Sequence, residues 1–248
     1  MRLELLFLSF IFLTGLGSYW LPKIVSKDLY VEAHYTYDIS TRFDNSFLTW
    51  GTDYMLAILT GGGALYTFLT TGPSALRSRC CFMLISCCVS VTVGGIAHQY
   101  FLHLDDLNTF QFRLLWSICV GFVVLTGGLI GSIGSHLLKL SHLLCDHNLN
   151  VSSRFKVIPE WLWMIWVIFF SLIVFLGGFS MKRPACDIFI AGITQTIPSS
   201  EFLLCLFVCF TCYDFFKIPQ VTLFCFHSSI CLPCFVFKSL GNVPWQQL

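Results

Sequence analysis

Charged residues are scarce in this sequence. Asp, Glu, Lys and Arg make up 11% of its 248 residues, against roughly 25% in soluble domains. A chain this poor in charge cannot cover a water-facing surface, and its 56% hydrophobic content points to an apolar solvent. Charge of one sign is also lacking. The formal net charge is +1, without the basic face or tail that nucleic-acid binding needs. Strict alternation of apolar and polar residues is absent as well. That excludes a transmembrane barrel and leaves helices, because backbone groups cannot stay unpaired in lipid. No glycine-rich phosphate loop follows a strand, and neither H-E-x-x-H nor G-x-S-x-G occurs. Soluble catalytic chemistry has no foothold here.

Long apolar runs are what the chain has instead. A bilayer core of about 30 Å takes about 20 mostly apolar helical residues. Runs of that kind cover about 48–71, 80–102, 112–138, 160–179 and 187–213. A sixth, about 220–238, contains Pro233 and His227. The N-terminal run "LLFLSFIFLTGLGSYWL" fits either a secretory signal peptide over 1–17 or a first span. The expected fold is therefore an all-α polytopic transmembrane helix bundle of six to seven spans. Residues 18–47 form a short extracytoplasmic arm, 48–240 the bundle and 241–248 a tail. We call the side that carries 18–47 side A and the opposite one side B. Lys and Arg divide almost evenly between the two, so the positive-inside rule decides little. A cleaved signal peptide places side A outside the cytosol. The sequon Asn150-Val151-Ser152 on side B is then unused.

Thirteen cysteines suggest a disulfide framework only in a short secreted chain. Here most sit inside apolar runs, where free cysteine behaves as a small hydrophobe. Cys209-x2-Cys212 and Cys231-x2-Cys234 match a zinc-ribbon spacing, but they lie in "LLCLFVCFTCYDFF" and "LFCFHSSICLPCFVF". A ribbon needs small soluble knuckles, so packing is the expected role of these thiols. The glycines of "LTGGLIGSIGSH" carry a clearer signal. Gly127-x3-Gly131, with Gly128 and Gly134, lets a neighbouring backbone come close, as small residues do in lipid.

Threading the spans gives each polar residue a side and a depth. Asp53, His98, Arg113 and Asp187 fall on four helices at similar depth near side A. Ionisable groups at membrane depth find partners or a wet cavity, so His98 is expected to face Asp53 or Asp187. His103 and Asp105-Asp106 read as a solvated loop. Side B carries Ser132, Ser135, His136, His142, Asp146, His147, Asp214 and His227, most of them in the loop-like "SHLLKLSHLLCDHNLN". Its histidines do not repeat at the i, i+4 spacing that aligns two ligands on one helical face.

Two resemblances accompany these residues. Ser132-x3-His136 followed by Asp146 resembles the Ser, His and Asp of the alkaline-ceramidase-like (CREST) superfamily. That resemblance implies a helical-bundle membrane hydrolase holding zinc with three histidines and an aspartate. The family's paired H-x3-H on its last helix is missing, and "CFHSSICLPC" offers His227 alone. "TDYMLA", "GGIAHQY" and "RLLW" resemble a polytopic membrane family over residues 48–140, which implies the same architecture and no particular activity.

Two function classes follow. In the first, His98, Asp53 and Asp187 hold a metal ion, zinc being the ion implied, and bound water hydrolyses a lipid amide or ester. In the second, the chain is a non-enzymatic transporter, receptor or partner subunit, and the polar cluster is structural or a proton relay. Both place it as a multi-pass integral protein of the secretory pathway or plasma membrane, with lipid as its partner.

Overall fold

The computed structural model describes residues 2–24, 46–101, 106, 109–145, 157–176 and 185–212. Side chains are described within these segments except at 2, 18–24, 140–145, 185–189 and 208–212. The described chain is all-α. Six helices follow one another: α1 (Arg2–Ile24), α2 (Phe47–Thr70), α3 (Ala75–Tyr100), α4 (Phe110–Cys145), α5 (Glu160–Leu176) and α6 (Ala185–Cys212).

Local chemistry sets most of the boundaries. Ser46 caps α2 by accepting the Thr49 N–H at 3.2 Å, which satisfies a donor that the first turn leaves orphaned. Ser74 does the same for α3, accepting from the Arg77 N–H at 3.1 Å. Arg77 then closes the α2–α3 turn. Its guanidinium donates to the Thr71 carbonyl at 2.9 Å and lies 4.5 Å from the centre of the Phe68 ring. Thr109 caps α4, accepting from the Phe112 N–H at 3.3 Å. At the start of α5, Glu160 occupies the first turn, where the helix dipole favours a carboxylate.

Neighbouring contacts define an up-and-down bundle with α4 at its centre, packed on α3, α5 and α6. The side chains paired across each seam run antiparallel between α2 and α3, α3 and α4, and α4 and α5. They run parallel between α4 and α6, where Gly127 meets Thr194 and Gly134 meets Phe202. Parallel packing also joins α1 to α5: Phe7 lies 5.0 Å from Trp163, and Gly15 lies against Phe169 and Ile173. The central core gathers Phe7 and Ile11 with Val120, Val124, Trp163, Trp166 and Phe170.

Glycine carries the close approaches, but not as one stripe. Side chains added at Gly127 and Gly134 would run into α6, whereas at Gly128 and Gly131 they would run into Val167 and Trp163 of α5. The spacing Gly127-x3-Gly131 thus serves two neighbours at once.

The outer surface is apolar. On α5, Leu162, Trp163, Trp166, Phe170 and Val174 are buried, yet the opposite face presents Met164, Ile168, Leu172 and Phe175. A soluble helix would be polar there. Exposed apolar surface on this scale marks contact with lipid or a partner. Among the described residues, three helices are both long and apolar enough to cross a membrane: α3, α4 from Phe110 to Lys139, and α6 from Ile190 to Phe207. Among the others, α5 is shorter, and α2 is diluted by threonine and glycine.

Against the sequence-based expectation, α4 does not end near 138. It continues helical to Cys145, so Ser135, His136 and His142 belong to helix backbone rather than to a loop. The α1 helix likewise runs through the boundary at 17 into the expected arm. The run at 220–238, with His227, Cys231 and Cys234, lies outside the described residues, as do Arg154, Asp146, His147, Asp214 and His103. The six cysteines with described side chains are free thiols: Cys80, Cys81, Cys87, Cys88, Cys119 and Cys205.

Candidate functional site

On side A, the structure joins two of the four expected residues. Asp53, in the second turn of α2, faces His98 in the last turns of α3, with Oδ2 4.0 Å from Nε2. Their approach depends on Gly94 and Gly95. A Cβ at Gly95 would sit 3.1 Å from the Tyr54 ring and 3.2 Å from the Asp53 Cβ, tighter than ordinary contact. One residue along the same seam, the Tyr54 hydroxyl donates to the Gln99 side-chain oxygen at 2.7 Å. The opening of α4 covers the pair. Trp116 meets the His98 ring nearly perpendicular at 5.6 Å and stacks in turn on Phe112.

Arg113 is held at the start of α4, where its Nε donates to the Thr109 carbonyl at 3.4 Å. Asp187 lies in the first turn of α6, and its side chain is outside the described residues. Among the described residues, no group of three His, Cys, Asp or Glu is gathered as a metal site. Catalytic zinc takes three protein ligands, and the side-A donors brought together among the described residues are Asp53 and His98. These residues alone do not complete a zinc site.

Side B holds a larger constellation, in which His136 and Ser135 of the expected set are joined by Arg79, Glu160 and Glu201. Arg79 in the first turns of α3 pairs through Nη2 with Glu160 at the start of α5. The other Glu160 oxygen lies 3.1 Å from His136 Nδ1 of α4, and Arg79 Nη1 lies 3.4 Å from the same nitrogen. Three helices are tied at one point.

Next to it, deeper in the bundle, Ser135 is fully buried. Its Oγ accepts from the Trp163 indole N–H at 2.9 Å and donates to Glu201 Oε1 at 3.4 Å. The second oxygen, Glu201 Oε2, is buried without a hydrogen-bond partner among the described residues. The signal for Glu201 was present in "SSEFLLCLF", a lone carboxyl inside an apolar run, which at membrane depth is a functional candidate by default. Ser132, also buried, lies one turn before His136 on α4.

Midway between the two ends, α4 and α6 share a polar contact. The Gln195 side-chain N–H donates to the Val123 carbonyl. Ser90 of α3 likewise donates to the Cys119 carbonyl of α4 at 2.9 Å. No family model, curated protein or solved structure matches this chain.

Proposed function

We propose that the chain is a multispanning integral membrane protein, of six to seven spans, that acts without covalent chemistry as a transporter, receptor or partner subunit. Its place is the secretory pathway or plasma membrane, with side A outside the cytosol. The observation that carries this reading is the α2–α3 seam. There Asp53 meets His98, and Tyr54 meets Gln99 one residue on, over glycines that admit the neighbouring helix. Polar groups arranged this way fix the register of two helices, which in lipid cannot be fixed by apolar pattern alone. Support for the span number comes from the three helices long and apolar enough to cross, and from α1, α2 and α5 packed alongside them.

A metal-dependent hydrolase of a lipid amide or ester is the competing reading, and it needs Asp187 as a third donor beside Asp53 and His98. Metal content of the purified protein separates the two. The register-lock reading expects folded protein without stoichiometric zinc, and His98→Ala that changes stability but not metal content. One zinc per chain, lost with His98→Ala, would overturn it in favour of the hydrolase. Placement is checked by labelling single cysteines introduced at Ser40 and Ser152. Labelling at 152 from outside an intact cell would reverse the orientation.

A further inference from the structure

We propose that Glu201 is a proton-binding site, loaded and unloaded through the Arg79–Glu160–His136 cluster at side B. The inference goes beyond the Asp53–His98 pair but rests on the membrane placement proposed above.

Four observations support it. First, Glu201 lies within the apolar α6 span, about 9 Å short of its Phe207 end at 1.5 Å per residue. Second, its two oxygens differ. Oε1 accepts from the Ser135 hydroxyl, itself oriented by the Trp163 N–H, whereas Oε2 is buried with no partner among the described residues. A buried carboxylate needs several donors or a cation to offset its lost hydration. One long bond from a neutral hydroxyl does not supply that, and a proton on Oε2 does.

Third, the site adjoins an exit to water. Ser135 is followed directly by His136, and Trp163 stands one turn from Glu160 on α5. The inner pair and the outer cluster therefore sit on adjacent turns of the same two helices. A carboxylate and an imidazole can each accept a proton and pass it on. The outer groups are part-exposed.

Fourth, toward side A the α4–α6 seam is closely packed, by Gly127 against the Thr194 main chain and by Gln195 on the Val123 carbonyl. Exchange then runs to side B. Charged and titratable groups at this end stand on every helix packed against α6: His136 and Lys139 on α4, Glu160 on α5 and Glu4 on α1. Arg79 of α3 is taken up by Glu160, so it neutralises the outer carboxylate rather than Glu201.

The test uses the full chain in phosphatidylcholine vesicles and N,N′-dicyclohexylcarbodiimide, an apolar reagent that adds to protonated carboxyls. Adducts are mapped by peptide mass. The expected result is modification at Glu201 that falls on the order of tenfold per pH unit above its midpoint. The adduct disappears in Glu201→Gln, which keeps the shape and the bond from Ser135. After a pH jump, Glu160→Gln with His136→Gln slows the change in adduct yield several-fold but leaves its position unchanged. An unmodified Glu201 in vesicle-inserted protein overturns the proposal. So does a yield that does not vary with pH, which would make Glu201 a permanently neutral packing group. Failure to float with the vesicles would instead overturn the membrane placement, so the two failures are distinguishable.

Discussion

A side chain at Gly127 of α4 would overlap the main-chain oxygen of Thr194 on α6. Thr194 is the residue whose carbonyl Pro198, four positions later, cannot bond, because proline has no N–H. The two features belong together. Proline frees a carbonyl in the apolar interior, and glycine lets the neighbouring backbone come close enough to cover it.

Gly127→Ala is therefore expected to destabilise the bundle by about 1–3 kcal/mol, the usual cost of overpacking a filled interior. The comparison is Gly62→Ala, since nothing lies within 4 Å of a Cβ at Gly62. There the loss of backbone freedom should leave stability unchanged or raise it by up to about 1 kcal/mol. Thermal unfolding in detergent ranks the two. Equal shifts would mean that α4 and α6 are not in contact at this level.

Replacing His98 by Leu leaves the Asp53 carboxylate facing an apolar group across the α2–α3 seam. The expected cost is up to about 1 kcal/mol, that of a part-exposed pair whose atoms approach to 4.0 Å, beyond hydrogen-bond reach. Lys139→Gln, at an exposed position, should stay within about 0.5 kcal/mol. A double-mutant cycle of Asp53→Ala with His98→Ala gives the decisive number. Strict additivity of the two substitutions would remove the pair.

The Arg79–Glu160 pair is more exposed, each side chain keeping about a quarter or more of its surface. Its coupling energy is expected to be no more than about 1 kcal/mol, and to shrink with added salt. A cycle of Arg79→Ala with Glu160→Ala at low and high ionic strength measures both. Coupling that is large and independent of salt would show the cluster to be sealed from side-B water, against its role as a proton entrance.

Packing of α1 has its own test. Phe7 is 8% exposed against Trp163 and Trp166, whereas its neighbour Leu6 is 69% exposed. Phe7→Ala should cost up to about 3 kcal/mol. That is the low end for truncating a packed phenylalanine, because in lipid only packing is lost and not transfer from water. Leu6→Ala should cost far less. Similar unfolding temperatures for the two would detach α1 from the bundle.

The apolar runs determined the helices, since length and hydropathy are local properties. The run at 48–71 becomes Phe47–Thr70, and that at 160–179 becomes Glu160–Leu176. Alternating threading of the spans also puts Asp53 and His98 at the same end, and in the structure their side chains approach to 4.0 Å. What sequence could not decide is the rotation of each helix about its axis. In water, a polar stripe announces which face turns outward. Here α5 is apolar on both faces, so its pattern does not say that Glu160 turns toward His136 or Trp163 toward Ser135. Nor does Gly127-x3-Gly131 say that its two glycines serve different neighbours. Those choices, and with them the orphaned oxygen of Glu201, come from packing around α4. In an apolar solvent, close fit and a few polar contacts are what select one rotation over another.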